Sequence, residues 1–156
     1  EVYSLNEIVS RLLAIRKKNI DNVDLFLNPT IKNNLPNPLK LKDMKNAINR
    51  TFKSIKRNES IGIFGDYDVD GATSAAIISK YLEQCGCKTF IHIPDRFLEG
   101  YGPNEKALKG LHEKGSKLIV TVDCGISSFE PLQAMSSVNI DVIVIDHHIP
   151  DIKLPP

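Results

Sequence analysis

From residue 60 onward the chain alternates short apolar runs with helix-forming segments, and three of the four runs lead directly into aspartate. The runs cover 61–64, 88–93, 117–122 and 142–145. The segments between them carry helical patterning at 72–84, 104–113 and 129–135, with Gly86 and Gly115 closing the first two and Asn104 capping the second. Strands that alternate with helices imply a mostly parallel sheet flanked by helices and joined by right-handed crossovers. The expected fold class is therefore α/β. In such sheets ligands bind outside the carboxyl ends of the strands, which here are the ends that run into Asp66, Asp123 and Asp146.

Residues 1–58 read differently, as a helical lead. Ser4-Leu5-Asn6-Glu7 has the form of a capping box, and Leu5, Ile8, Leu12 and Ile15 recur at helical spacing, with an end expected near Lys18 or Asn19. A short helix is expected at 23–27, then an irregular connection through Pro29, Pro36 and Pro38. Residues 41–56 read as an amphipathic helix with Leu41, Met44, Ile48, Phe52 and Ile55 on the apolar stripe and Lys42, Lys45, Lys53 and Lys56 beside it. Residues 1–60 hold twelve Lys/Arg against six Asp/Glu, and 61–156 hold eight against thirteen. The basic face is either a solvated surface or one that lies near a phosphate backbone. The expected division is a helical lead at 1–58 and an α/β domain at 59–156.

The chemistry starts at Gly65-Asp66-Tyr67-Asp68-Val69-Asp70-Gly71. Aspartates on alternate positions of an extended chain point the same way, and their mutual repulsion calls for a cation. The two glycines let the backbone fold tightly and a ligand approach. Alone, such a loop also suits turns and caps, and Asp123 alone suits a cap on the turn at Gly125-Ile126-Ser127. With Asp146-His147-His148 at a third strand end, the set reads as a divalent-metal site. Carboxylates with imidazole and no thiolate pair fit Mn2+ or Mg2+, and the carboxylates suffice for two ions, the arrangement that serves phosphoryl hydrolysis.

Cys85, Cys87 and Cys124 are odd in number, and Cys85-Gly86-Cys87 has the wrong spacing for a zinc or redox pair. They are expected to be small buried or half-buried thiols in a cytosolic, hence cytoplasmic, protein. No apolar run approaches the roughly 20 residues of a membrane span. The chain opens on Glu1-Val2-Tyr3 and closes on Leu154-Pro155-Pro156, so it is expected to be a piece of a longer protein.

Three segments carry a family resemblance. Gly65 to Ser74, Val122-Asp123-Cys124-Gly125-Ile126-Ser127 and Asp146-His147-His148 resemble motifs I, II and III of the DHH phosphoesterase superfamily. Arg96-Phe97-Leu98-Glu99-Gly100-Tyr101-Gly102 resembles a loop of its RecJ branch, as does the lead with Leu35-Pro36-Asn37-Pro38 before a helix. The resemblance implies a DHH phosphoesterase domain, here truncated, and a metal-dependent exonuclease that degrades single-stranded DNA 5′ to 3′ in repair and recombination. It implies Asp68, Asp70, Asp123 and His147 as metal ligands, with Asp123 bridging, and Asp66 and Asp146 as supports that orient ligands or water. Asp70, Asp123 and His148 would carry catalysis, Arg96 would contact the substrate phosphate, and His148 would either contact that phosphate or serve as a further metal ligand. Arg96 has a structural alternative, a salt bridge to Asp95 or Glu99. Single-stranded DNA is the expected partner, with a single-strand-binding protein or a helicase beside it and a monomeric enzyme. The family's fourth motif supplies another aspartate beyond Pro156, so an incomplete metal site is expected. Three other readings stand beside this one: a DHH enzyme for oligoribonucleotides, cyclic dinucleotides or pyrophosphate; a haloacid-dehalogenase-type phosphatase using Asp66; and a non-catalytic nucleic-acid-binding module.

Overall fold

The computed structural model describes residues 5–16 and 23–156. The chain divides into two compact units, Glu1–Met44 and Lys45–Pro156. In the first, helix α1 (Glu7–Ile15) is capped by the side chain of Asn6, which accepts from the Ile8 N–H at 2.9 Å. The expected cap at Ser4 and the expected helix end near Lys18 lie outside the described residues. Of the apolar stripe, Ile8, Leu12 and Ile15 are exposed and Leu13 is the buried residue, since a unit this small has little interior to offer. Helix α2 (Val23–Leu27) is where the sequence placed it. The connection after it is more ordered than expected: α3 (Ile31–Asn34), capped by Thr30, and a 3-10 turn at Pro38–Lys40, capped by Asn37. Leu35 and Asn37, each before a proline, are extended, as the ring demands.

Helix α4 (Met44–Lys56) starts three residues later than the sequence suggested, at the last residue of the first unit, and otherwise belongs to the second. Asp43 has φ 55°, a left-handed residue that closes the preceding turn. The face turned inward also differs. Leu41, Ile48 and Phe52 are exposed, whereas Ser54 is buried and Arg50 half-buried. The reason is polar. The Arg50 guanidinium bonds Glu59 at 2.8 Å, the Lys117 carbonyl at 2.9 Å and Asp141 at 2.5 Å, and Ser54 also donates to Glu59, at 2.9 Å. These partners sit at the amino ends of three strands, and paired groups of this kind outweigh an apolar stripe.

Four parallel strands follow: β1 (Ser60–Gly65), β2 (Thr89–His92), β3 (Ser116–Val122) and β4 (Asp141–Ile145). Their order is β2-β1-β3-β4. They alternate with α5 (Val69–Gln84), α6 (Glu105–Glu113) and α7 (Phe129–Ser137). Each face of the sheet builds its own core. Ile61, Ile63, Leu118, Val120 and Val122 meet Ala75 and Leu82 of α5, and Phe64 and Ile119 meet Leu108, Leu111, Leu132 and Met135 of α6 and α7. A parallel sheet covered on both faces is the expected α/β architecture. On α5 the buried positions are Gly71, Ala75, Ser79 and Leu82, while the apolar Ile77 and Tyr81 are exposed. All three thiols are free, and Cys85 is exposed where a buried or half-buried thiol was expected. Among the described residues no helix is long and apolar enough to cross a membrane.

Candidate metal centre

Strand register creates the site. Gly65 pairs with Val122 and Val122 with Ile145. The next residue of each strand is an aspartate, so Asp66, Asp123 and Asp146 stand in one row at the carboxyl edge. The chain leaves β1 toward β2 and leaves β3 toward β4, which makes the gap between β1 and β3 the switch point where such sheets bind ligands. Asp123 takes a left-handed backbone, φ 61°, and its N–H still donates to the Ile145 carbonyl at 2.9 Å. Aspartate tolerates that conformation better than most side chains.

Two groups of ligand atoms share Asp123. In one, atoms of Asp66, Asp68 and Asp123 lie within 4.8 Å of one another; in the other, atoms of Asp123, His147 and His148 do. His147 Nε2 lies 3.1 Å from Asp123 Oδ1. Asp70 joins neither group among the described residues. The alternate-position argument fails at this residue because α5 begins at Val69, not at 72, and places Asp70 in its first helical turn. Its charge still reaches Asp123. Asp68 caps α5, accepting from the Gly71 N–H at 2.9 Å, and that bond chiefly lowers its pKa. Burial, together with the charge of Asp68 and a hydrogen bond to it, raises the pKa of Asp123. A cation placed among these carboxylates would relieve their mutual repulsion.

The glycine frame folds tightly, but protein fills the space. A Cβ on Gly71 would sit 2.4 Å from the Asp66 nitrogen, and one on Gly65 would sit 2.8 Å from the Gly71 carbonyl oxygen. Helix α5 thus starts pressed against the end of β1.

Asp146 supports the site from behind. Its side chain is 1% exposed. It accepts from the N–H groups of Ile126 and His148, both at 3.0 Å, and binds His148 Nδ1 at 2.7 Å. Burial would raise its pKa, but these bonds outweigh burial and lower it. The same bond raises the pKa of His148. The turn at Ile126 is thus held by Asp146, and Asp123 is free of that duty.

Arg96 lies over the Tyr67 ring, 5.5 Å from its centroid. Glu99, one of the salt-bridge partners considered for it, instead binds His92 at 2.9 Å, the Asp95 N–H at 2.9 Å and Asn104 at 3.1 Å. Tyr67 meets Tyr101 edge-on at 6.4 Å, and Tyr101 meets His148 at 6.0 Å. This aromatic rim went unread in the sequence; the one available signal was tyrosine within both acidic and basic motifs.

The donor set suits hard divalent ions: carboxylates and imidazoles, with no thiolate. Cys124 adjoins Asp123 but is buried; its Sγ contacts the Val122 carbonyl, and burial pushes its pKa up to about 12.

Residues 60–156 match the DHH family, N-terminal domain. The chain is 38% identical to the single-stranded-DNA-specific exonuclease RecJ of Bacillus subtilis (strain 168), over 99% of this chain and 20% of that protein. It thus spans about a fifth of the length of that relative. A crystal structure of exonuclease RecJ bound to manganese superposes with a TM-score of 0.71 at 35% identity, covering 78% of this chain and 31% of the other. RecJ in complex with Mn2+ from Thermus thermophilus gives 0.66 at 30% identity, over 83% and 18%.

Proposed function

Because this chain belongs to the DHH family, we propose that it is the metal-holding part of a RecJ-like exonuclease that hydrolyses single-stranded DNA from the 5′ end. The observation that carries the reading is the sharing of Asp123 by a carboxylate group and an imidazole group at the switch point of the sheet. Asp68, Asp123 and His147 would hold Mn2+ or Mg2+, with Asp123 belonging to both groups of ligand atoms and Asp66 to the carboxylate group. Asp70 is the remaining proposed ligand, on the strength of its place in the motif at 65–74. Divalent ions bound there supply activation of water and neutralisation of charge on the phosphate.

The chain's own residues do the rest. Asp146 fixes the His148 ring through Nδ1, which leaves Nε2 to face a phosphate, and keeps the ring cationic to higher pH. Arg96, placed over the Tyr67 ring, offers its guanidinium fork to phosphate oxygens. The division into a basic lead at 1–58 and a catalytic part at 59–156 belongs to this reading, as do a monomeric state, the cytoplasm, and a single-strand-binding protein or helicase as partner. The test is Asp123→Asn in the full-length enzyme. Mn2+ binding by calorimetry and degradation of 5′-labelled single-stranded DNA are both expected to vanish. Wild-type degradation by the variant overturns the mechanism. A substrate panel with pyrophosphate, cyclic dinucleotides and oligoribonucleotides overturns the choice of DNA if one of them is turned over faster.

A further inference from the structure

Phe97 and Leu98 stand in water on the turn between β2 and α6, 93% and 86% exposed. The turn beneath them is fixed. Asp95 Oδ1 accepts from the N–H groups of Phe97 at 2.8 Å and Leu98 at 3.0 Å, and the Glu99 N–H donates to the Asp95 carbonyl at 2.8 Å. Glu99 then ties the turn to His92 of β2 and to Asn104, the cap of α6. Two large apolar side chains are thus displayed on rigid backbone. Their neighbour Arg96 opens the chain of rings Tyr67, Tyr101 and His148 that ends at the metal centre.

We propose that Phe97, flanked by Leu98, is a stacking platform for one nucleobase of the strand whose phosphate enters the metal centre. The inference rests on the function proposed above and adds how a single strand is selected. Aromatic platforms beside cationic groups hold single strands without reading sequence, because every base has a π face. A rigid platform loses little freedom on binding. A base inside a duplex is already stacked on its neighbours, so the platform rewards only strands whose bases are free.

The experiment uses the full-length enzyme with Mn2+ and single-stranded oligonucleotides, each carrying one abasic nucleotide at a successive position from the 5′ end. For the wild type, one abasic position is expected to lower kcat/KM by about 10- to 100-fold, the size of one base stack. Phe97→Ala is expected to show that loss on the intact strand and to be indifferent to the same abasic position. Phe97→Trp is expected to restore both behaviours, and the melting temperature to stay constant throughout. Wild-type kcat/KM in Phe97→Ala overturns the stacking role. So does a loss that adds to every abasic substitution, or a fall in melting temperature with unchanged kinetics, which would place Phe97 in a protein interface. A wild type that leaves single-stranded DNA intact overturns the parent reading instead, and the platform with it.

Discussion

Replacing Gly71 with alanine tests how closely the start of α5 must approach β1. The added Cβ would lie 2.4, 2.5 and 2.6 Å from the nitrogen, carbonyl oxygen and Cα of Asp66. Comfortable contacts between non-bonded heavy atoms are about 3.5 Å, so relief demands a displacement of roughly 1 Å. All three atoms are backbone, so no side chain can swing away. Overpacking of this kind costs about 1–3 kcal/mol, and the better helix propensity of alanine returns at most about 1 kcal/mol. A net destabilisation of about 2 kcal/mol is expected. The same displacement separates Asp66 and Asp68 from Asp123, and Mn2+ affinity is expected to fall at least about tenfold, because ligand sets tolerate only about 0.5 Å of error. Gly110→Ala in α6 is the control. Its Cβ would meet nothing within 4 Å, and it is expected to stabilise by up to about 1 kcal/mol. Urea unfolding and Mn2+ calorimetry on the wild type and both variants measure these effects. A Gly71→Ala variant with wild-type midpoint and affinity refutes the reasoning.

Glu99 is held down to about 2 from its ordinary 4.5, first by the Asp95 N–H and then, against burial, by Asn104 and His92. A depressed carboxylate stabilises the fold above its unfolded pKa and loses that contribution as pH falls through the folded one. Stability is therefore expected to fall between about pH 4.5 and 2, by at most about 3 kcal/mol, and urea midpoints of Glu99→Gln should be flatter over that range. Arg50→Met leaves half-buried Glu59 with only the more distant Arg57, at 3.8 Å; unfolding is expected to be easier by about 2–3 kcal/mol, with Mn2+ affinity unchanged because the knot lies at the opposite edge of the sheet. Asp146→Asn is expected to weaken Mn2+ binding by about 10- to 100-fold and, in a proton-NMR titration, to shift the His148 pKa downward, since Asp146 is what raises it.

The row Asp66, Asp123, Asp146 was legible because each follows a short apolar run bounded by turn residues, which is the pattern of a strand, even though β4 itself is only half-buried. The placement of Asp70 was not read correctly, although an aspartate cap at Asp68 followed by an acid in the next turn is itself a helix-start signal. The inward face of α4 was beyond reach. Its partners Glu59, Lys117 and Asp141 come from later in the chain, and local periodicity carries no word of them. Arg96 shows the same limit: sequence offered the adjacent acids Asp95 and Glu99, while the fold supplies the ring of Tyr67.

Register between β1 and β3 also divides the centre along the chain. The carboxylates of Asp66, Asp68 and Asp123 come from the ends of β1 and β3, whereas His147 and His148 come from the chain after α7 and β4. The centre is therefore built from two halves that meet at Asp123. The Asp123 N–H bond to the Ile145 carbonyl joins the two halves, so a change that loosens β4 would disturb the carboxylate half as well as the imidazoles.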